Sequence, residues 1–231
     1  MSDAESAAAL SAYHAEHVVG CTRCPLSEER TQVVVGNGDP DADIMFVGEA
    51  PGYHEDRQGL PFVGAAGKLL DELLAGISLT RDDVFVANVL KCRPPGNRDP
   101  QPAEIRACEE HLFAQLGFIR PRVVCTLGNF ATKLLSGRPE GITRVHGHEL
   151  PVQIGGRAVL LYPLFHPAAV LRAHSLRETI EADFARIPAL VDRDAGPPAP
   201  QVPEVPETVE ASADDAPDDA SPESQEQLGL F

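Results

Sequence analysis

Cys21 and Cys24 stand two residues apart near the start of the chain, and Cys92 and Cys108 lie far downstream. A fold that uses all four must lay its first segment against a loop and a helix from the middle of the sequence. A Cys-x2-Cys pair supplies two thiolates to one metal or cluster. Structural zinc usually shows a second close pair, but Cys92 and Cys108 are separated by 15 residues. A four-iron cluster, with one cysteine per iron, accepts such spacing. Spacing alone leaves iron–sulfur, zinc and unligated buried thiols open. The fifth cysteine, Cys125, sits in the apolar run Val123-Val124-Cys125-Thr126-Leu127 and reads as a small buried hydrophobe.

The 231 residues are enough for one substantial α/β domain. No apolar run approaches the length of a membrane span, and Met1 to Leu10 lacks the basic start and apolar stretch of a signal peptide. A reducing, cytoplasmic location is expected, so the cysteines read as metal ligands before disulfides. The net charge of −16 is unevenly spread, because residues 192–231 carry 11 acidic residues against Arg193 alone. That leaves −6 on residues 1–191. The basic residues are 16 Arg and only 3 Lys, and Arg93, Arg98, Arg172 and Arg177 fall near the candidate site loops.

Strand and helix signals alternate along residues 1–191. Strands are expected at Asp43–Val47, Val84–Leu90 and Val123–Leu127, each a short apolar run ending in turn residues. Helices are expected over 64–77, where Leu69, Leu70, Leu73 and Leu74 recur at helical spacing, and over 102–117, 129–135 and 176–191. Val145–Ile154 and Arg157–Leu161 read as a hairpin whose second arm enters the sheet. The pattern predicts an α/β fold: a mostly parallel four-stranded sheet with helices on both faces. Ligands in such folds bind at the C-terminal strand ends, where Gly48–Gly52, Lys91–Asp99 and His166–Leu171 would converge. The predicted division is a 1–191 domain, a disordered acidic, Pro- and Ala-rich 192–226 tail, and a 227–231 peptide.

Single motifs are weak by themselves. Gly48-Glu49-Ala50-Pro51-Gly52 allows close backbone approach to a ligand and sets Glu49 at a strand end, yet a plain turn with a solvated Glu has the same look. His166 in His166-Pro167-Ala168 can donate to a developing oxyanion or simply cap a loop. Phe62 in Pro61-Phe62-Val63-Gly64 can stack on a flat ligand or fill the core. Asn88, among apolar neighbours, needs hydrogen-bond partners, and its amide both donates and accepts, as does a nucleobase edge.

In order and together, these fragments resemble one family. From Cys21 to Val191 the chain is similar to the family 4 uracil-DNA glycosylases, the iron–sulfur class, through its cysteine pattern, Gly48–Gly52, Pro61–Gly64, Asn88, Lys91-Cys92-Arg93-Pro94-Pro95-Gly96-Asn97-Arg98 and His166–Ala168. The resemblance implies monofunctional hydrolysis of the bond between uracil and deoxyribose, with the base flipped out of the stack. It implies a 4Fe–4S cluster on Cys21, Cys24, Cys92 and Cys108. It implies that Phe62 stacks on uracil, that Asn88 reads its N3 and O4 edge, that His166 and the Ala50 backbone N–H bind O2, and that Glu49 positions water or faces the sugar cation. Tyr53 is the candidate for excluding thymine, Leu171 for the duplex wedge, and Arg172 for DNA contact. No histidine occurs in Pro94–Pro100, which argues against covalent capture of the base. DNA, single- or double-stranded, is the expected partner, and the protein is expected to be a monomer.

The last residues, Gln227-Leu228-Gly229-Leu230-Phe231, resemble the short peptide by which bacterial repair proteins bind the sliding clamp. Two rivals remain open: a non-catalytic DNA-binding clamp adaptor with a structural metal centre, and a zinc-stabilised α/β hydrolase.

Overall fold

The computed structural model describes residues 3–191. The expected tail and terminal peptide, with Gln227, Leu228, Leu230 and Phe231, lie outside the described residues. Six strands form one sheet: β1 (Asn37–Gly38), β2 (Ile44–Gly48), β3 (Phe85–Asn88), β4 (Val123–Leu127), β5 (Leu150–Ile154) and β6 (Arg157–Leu164), in the order β1-β3-β2-β4-β6-β5. The helices are α1 (Asp3–Tyr13), α2 (Leu26–Glu29), α3 (Tyr53–Gln58), α4 (Ala65–Gly76), α5 (Pro102–Ile119), α6 (Asn129–Ser136), α7 (Ile142–Val145), α8 (Pro167–Arg172), α9 (Arg177–Ala185) and α10 (Ile187–Val191).

The four central strands, β3, β2, β4 and β6, are all parallel. Every residue of β2, β3 and β4 is buried, which is why they read as continuous apolar runs rather than alternating ones. Successive side chains enter opposite layers. Met45, Val47, Phe85, Ala87 and Val124 face the layer that holds Leu112 and Leu116 of α5. Ile44, Phe46, Val86, Val123 and Cys125 face the layer of Leu69, Leu70, Leu73 and Leu74 from α4 and Phe184 from α9.

The α/β class and the parallel four-stranded centre agree with the sequence, but the sheet has six strands rather than four. Both additions are antiparallel edges. β1 has two residues, too few to leave a pattern. β5 is the first arm of the hairpin that turns at Gly155 and Gly156; it pairs along β6 and shows one-sided burial, with Pro151 and Gln153 exposed and Leu150, Val152 and Ile154 buried.

Two further differences concern helices. α1 runs through an Ala-rich segment with no periodic apolar face, continues into a π-turn over His14–Val18 and packs on α5. The helix expected over 176–191 is broken between α9 and α10, where Pro188 lacks the N–H that would bond the carbonyl four residues earlier.

Candidate active site and cysteine centre

β2, β3 and β6 end at the same edge, and the loops leaving these strands meet there. Gly48, the last residue of β2, is in register with Asn88, the last of β3. A Cβ on residue 48 would stand 2.4 Å from Asn88 Oδ1 and 2.6 Å from the tip of the Phe62 ring. Glycine is therefore what lets an amide and an aromatic ring meet over the strand end. Asn88 is 2% exposed, and its Oδ1 is buried with no hydrogen-bond partner among the described residues. Such an orphaned acceptor costs about 1–3 kcal/mol unless a ligand satisfies it.

Ala50, Gly52, Glu55, Phe62, Ala66, Asn88, His166 and Ala168 line a pocket of about 170 Å³. The Phe62 and His166 rings are near-parallel, with centroids 5.6 Å apart and planes 25° apart. Phe62 has φ 54°, a left-handed conformation that costs a non-glycine residue about 1–3 kcal/mol and persists only when its surroundings over-determine it. His166 caps α8, and its Nδ1 accepts the Ala168 N–H at 3.1 Å. That bond makes Nε2 the protonated nitrogen of a neutral ring. Burial foremost, and then the Arg172 guanidinium, hold His166 down to about 4, with Glu55 opposing.

Glu49 is half-buried and is not among the lining residues, although its neighbour Ala50 is. Burial raises its carboxyl above the ordinary range and Asp99 adds to this, while Arg172 lowers it. Arg172 is thus the cation near both Glu49 and His166. It is exposed on α8 beside Leu171, an apolar side chain 41% exposed.

Of the expected site residues, Ala50, Phe62, Asn88 and His166 meet in the pocket. Tyr53 does not line it. As the first residue of α3 it is 49% exposed, with Arg93 at 5.2 Å and Arg57 at 5.8 Å from its ring centroid. Two residues along that helix, Glu55 does line the pocket. Its Oε1 accepts the N–H groups of Val63 and Gly64 at 3.0 Å each. The available signal was its position three residues after Gly52, the residue that begins the helix.

The four cysteines come together at one cavity. Cys21 and Cys24 precede α2, Cys92 follows β3, and Cys108 lies on α5; all four line the cavity with Val18, Arg30, Lys91 and His111 among its walls. None is in a disulfide. Two of the sulfurs meet N–H groups and a third meets a ring nitrogen: the Lys91 backbone N–H donates to Cys108 Sγ at 3.3 Å, Arg30 Nη1 to Cys92 Sγ at 3.3 Å, and His111 Nε2 lies 3.4 Å from Cys21 Sγ. Burial pushes Cys92 up and Cys108 up to about 11, so thiolate there needs the cationic support that Arg30 and Lys91 provide. Among the described residues no three side chains gather closely enough to hold a single metal ion, although all four cysteines face one space. Cys125 is fully buried in β4, as expected.

The sequence profile of the Uracil DNA glycosylase superfamily matches residues 35–187, a span running from just before β1 to α10. The chain belongs to that superfamily. A type-4 uracil-DNA glycosylase of Archaeoglobus fulgidus is 48% identical over 174 residues, covering 74% of this chain and 87% of its own. A type-4 uracil-DNA glycosylase of Thermotoga maritima is 44% identical over 182 residues, 78% of this chain and 93% of its own. A type-5 uracil-DNA glycosylase of Thermus thermophilus is 37% identical over 165 residues, 63% and 74% of the two chains. Within the superfamily the chain stands with the type-4 enzymes.

Proposed function

We propose that this uracil-DNA glycosylase hydrolyses the bond between uracil and deoxyribose in DNA, with the base held in the pocket beneath Phe62. The observation that carries the assignment of roles is the buried, unpartnered Oδ1 of Asn88. It matches the N3–H of uracil, while the amide Nδ2 donates to O4. Cytosine offers the reverse pattern at both positions. Gly48 supports this reading, because it leaves the amide and the stacking ring room on the pocket floor.

The chemistry follows from charge. As the glycosidic bond breaks, uracil gains negative charge and the sugar becomes cation-like. A neutral His166, its Nδ1 engaged by Ala168, has its Nε2–H to give to uracil O2, and Ala50, whose backbone N–H is the second donor in this reading, lines the same pocket. One such donor is worth about 10²–10³ in rate. Glu49, next to the lining residue Ala50 and within the field of Arg172, orients water or offsets the sugar cation. Lys91 is buried and spends its ammonium on Asn88 and Gln115, so no Schiff base forms and an abasic site remains. Leu171 and Arg172 contact the duplex. Glu55 closes the wall against a 5-methyl group.

A 4Fe–4S cluster fits the cysteine cavity. All four cysteines line one cavity, yet no three ligating side chains among the described residues gather closely enough for a single metal ion, which favours a cluster with one cysteine per iron over zinc. N–H groups at Cys92 and Cys108 suit thiolate ligands. Bound there, the cluster braces the N-terminal segment, the loop after β3 and α5; the hydrolysis needs no electron transfer. For the terminal peptide, Gln227, Leu228, Leu230 and Phe231 at the end of a polar stretch support docking on a sliding clamp, which would raise the local concentration of the enzyme at newly made DNA. Among the described residues no helix is long and apolar enough to cross a membrane.

Release of uracil from single- and double-stranded oligonucleotides tests the activity. The purified holoprotein is expected to free uracil, and Glu49→Ala and His166→Ala are each expected to lose about 10²-fold or more. A clamp adaptor without catalysis would release none.

A further inference from the structure

Phe62 adopts a conformation that a phenylalanine does not choose, and one side chain outside the pocket accounts for it. We propose that Arg81 is a positioning residue for base capture: its guanidinium fixes both peptides that flank Phe62, and so lays the ring over the pocket. This rests on the reading of Phe62 as the platform on which uracil stacks.

Arg81 opens the short 3-10 turn that joins α4 to β3, and Thr80 and Asp83 cap that turn reciprocally. From there its Nη2 donates to the Phe62 carbonyl at 2.9 Å and to the Gly67 carbonyl at 3.3 Å. Its Nη1 donates to the Pro61 carbonyl at 3.4 Å, and its Nε to Asp71 at 2.5 Å. The Pro61 carbonyl belongs to the peptide before Phe62 and the Phe62 carbonyl to the peptide after it. The dihedral φ of Phe62 relates those two peptides. A rigid fork bonded to both therefore opposes relaxation from φ 54° to the ordinary right-handed or extended regions.

Two other contacts support the same geometry. The peptide after Phe62 is held at its other end as well, because the Val63 N–H donates to Glu55 Oε1. Gly67 receives the Phe62 carbonyl on the first turn of α4, where a Cβ would meet that oxygen at 1.7 Å. A lone surface Arg–Asp pair is worth little, but the Arg81 side chain is only 24% exposed and reaches three carbonyls besides Asp71.

A double-mutant cycle on the holoprotein tests this. Arg81→Met, Phe62→Leu and the pair are compared by kcat/KM on a uracil oligonucleotide and by inhibition with free uracil, after circular dichroism and iron content show intact folding. Arg81→Met is expected to lower kcat/KM between about ten- and a hundredfold and to weaken free uracil as an inhibitor. In the Phe62→Leu background the same change is expected to cost less than about twofold, the non-additivity that coupled residues show. Arg81→Lys keeps the charge but cannot bond Pro61, Phe62 and Asp71 together, so it falls between; it is read in the same cycle if Arg81→Met does not fold. An equal loss in both backgrounds, or wild-type activity in Arg81→Met, overturns the proposal. Wild-type activity in Phe62→Leu would instead remove the stacking role on which it rests.

Discussion

The ammonium of Lys91 donates to the backbone carbonyl of Asn88 at 2.7 Å. One residue thus joins the backbone of the candidate uracil-reading residue to the cysteine centre, because the Lys91 backbone N–H reaches Cys108 and Cys92 is its neighbour. The ammonium is 1% exposed as part of its residue and also bonds Gln115 of α5 at 2.6 Å. Lys91→Met removes the donor and leaves two buried carbonyl-type oxygens unpaired. A loss of about 1–3 kcal/mol in holoprotein stability is expected, read by chemical denaturation. An unchanged unfolding midpoint would deny Lys91 this bridging role.

Gly48→Ala is expected to preserve the fold and abolish function. The added methyl points at Asn88 Oδ1 and the Phe62 ring, so what must move is the pocket floor. A decrease of about a hundredfold in kcat/KM is expected from an error of this size, with a near-native circular dichroism spectrum. Wild-type turnover would show that neither side chain needs its observed place.

The acid limb of the pH–rate profile is expected to belong to Glu49. Its carboxyl is raised above the ordinary 4.5 by burial and by Asp99, with Arg172 opposing. The reactive form is the carboxylate, so activity falls as pH drops through that raised value. His166, held down to about 4, is neutral above that pH and adds no step near 6.5. Profiles of kcat/KM for wild type and Glu49→Gln check this: the limb should vanish in the variant. A limb near 6.5 that disappears in His166→Asn would contradict it.

Deleting residues 227–231 is expected to abolish binding to a sliding clamp, measured with purified clamp, and to leave uracil release from short oligonucleotides unchanged. Clamp binding that survives the deletion would contradict the role given to Leu228, Leu230 and Phe231.

The parallel centre of the fold was legible because buried strands must be apolar along their whole length, as Val123–Leu127 is. The pocket loops were legible because each follows such a strand. The antiparallel edges were not, since β1 is two residues long and β5 alternates like a surface hairpin. α1 left no signal because alanines give helix propensity without a face. That Glu55 lines the pocket and Tyr53 does not was hidden because their difference lies in helical phase: Gly52 sets where α3 begins, and from there Tyr53 points to Arg57 and Arg93 while Glu55 turns to Val63 and Gly64. Arg81 looked like one charge in a polar turn, and only the path of the 61–67 backbone gives it three carbonyls to hold.

The most direct test of the pocket assignment is Asn88→Asp, assayed side by side on uracil- and cytosine-containing single strands. A buried Asp at this position protonates and can donate to cytosine N3 while accepting from its amino group. Uracil release is expected to fall by about 10²-fold or more, with cytosine release appearing where wild type gives none. Undiminished uracil release by the Asn88→Asp enzyme would contradict the pocket assignment.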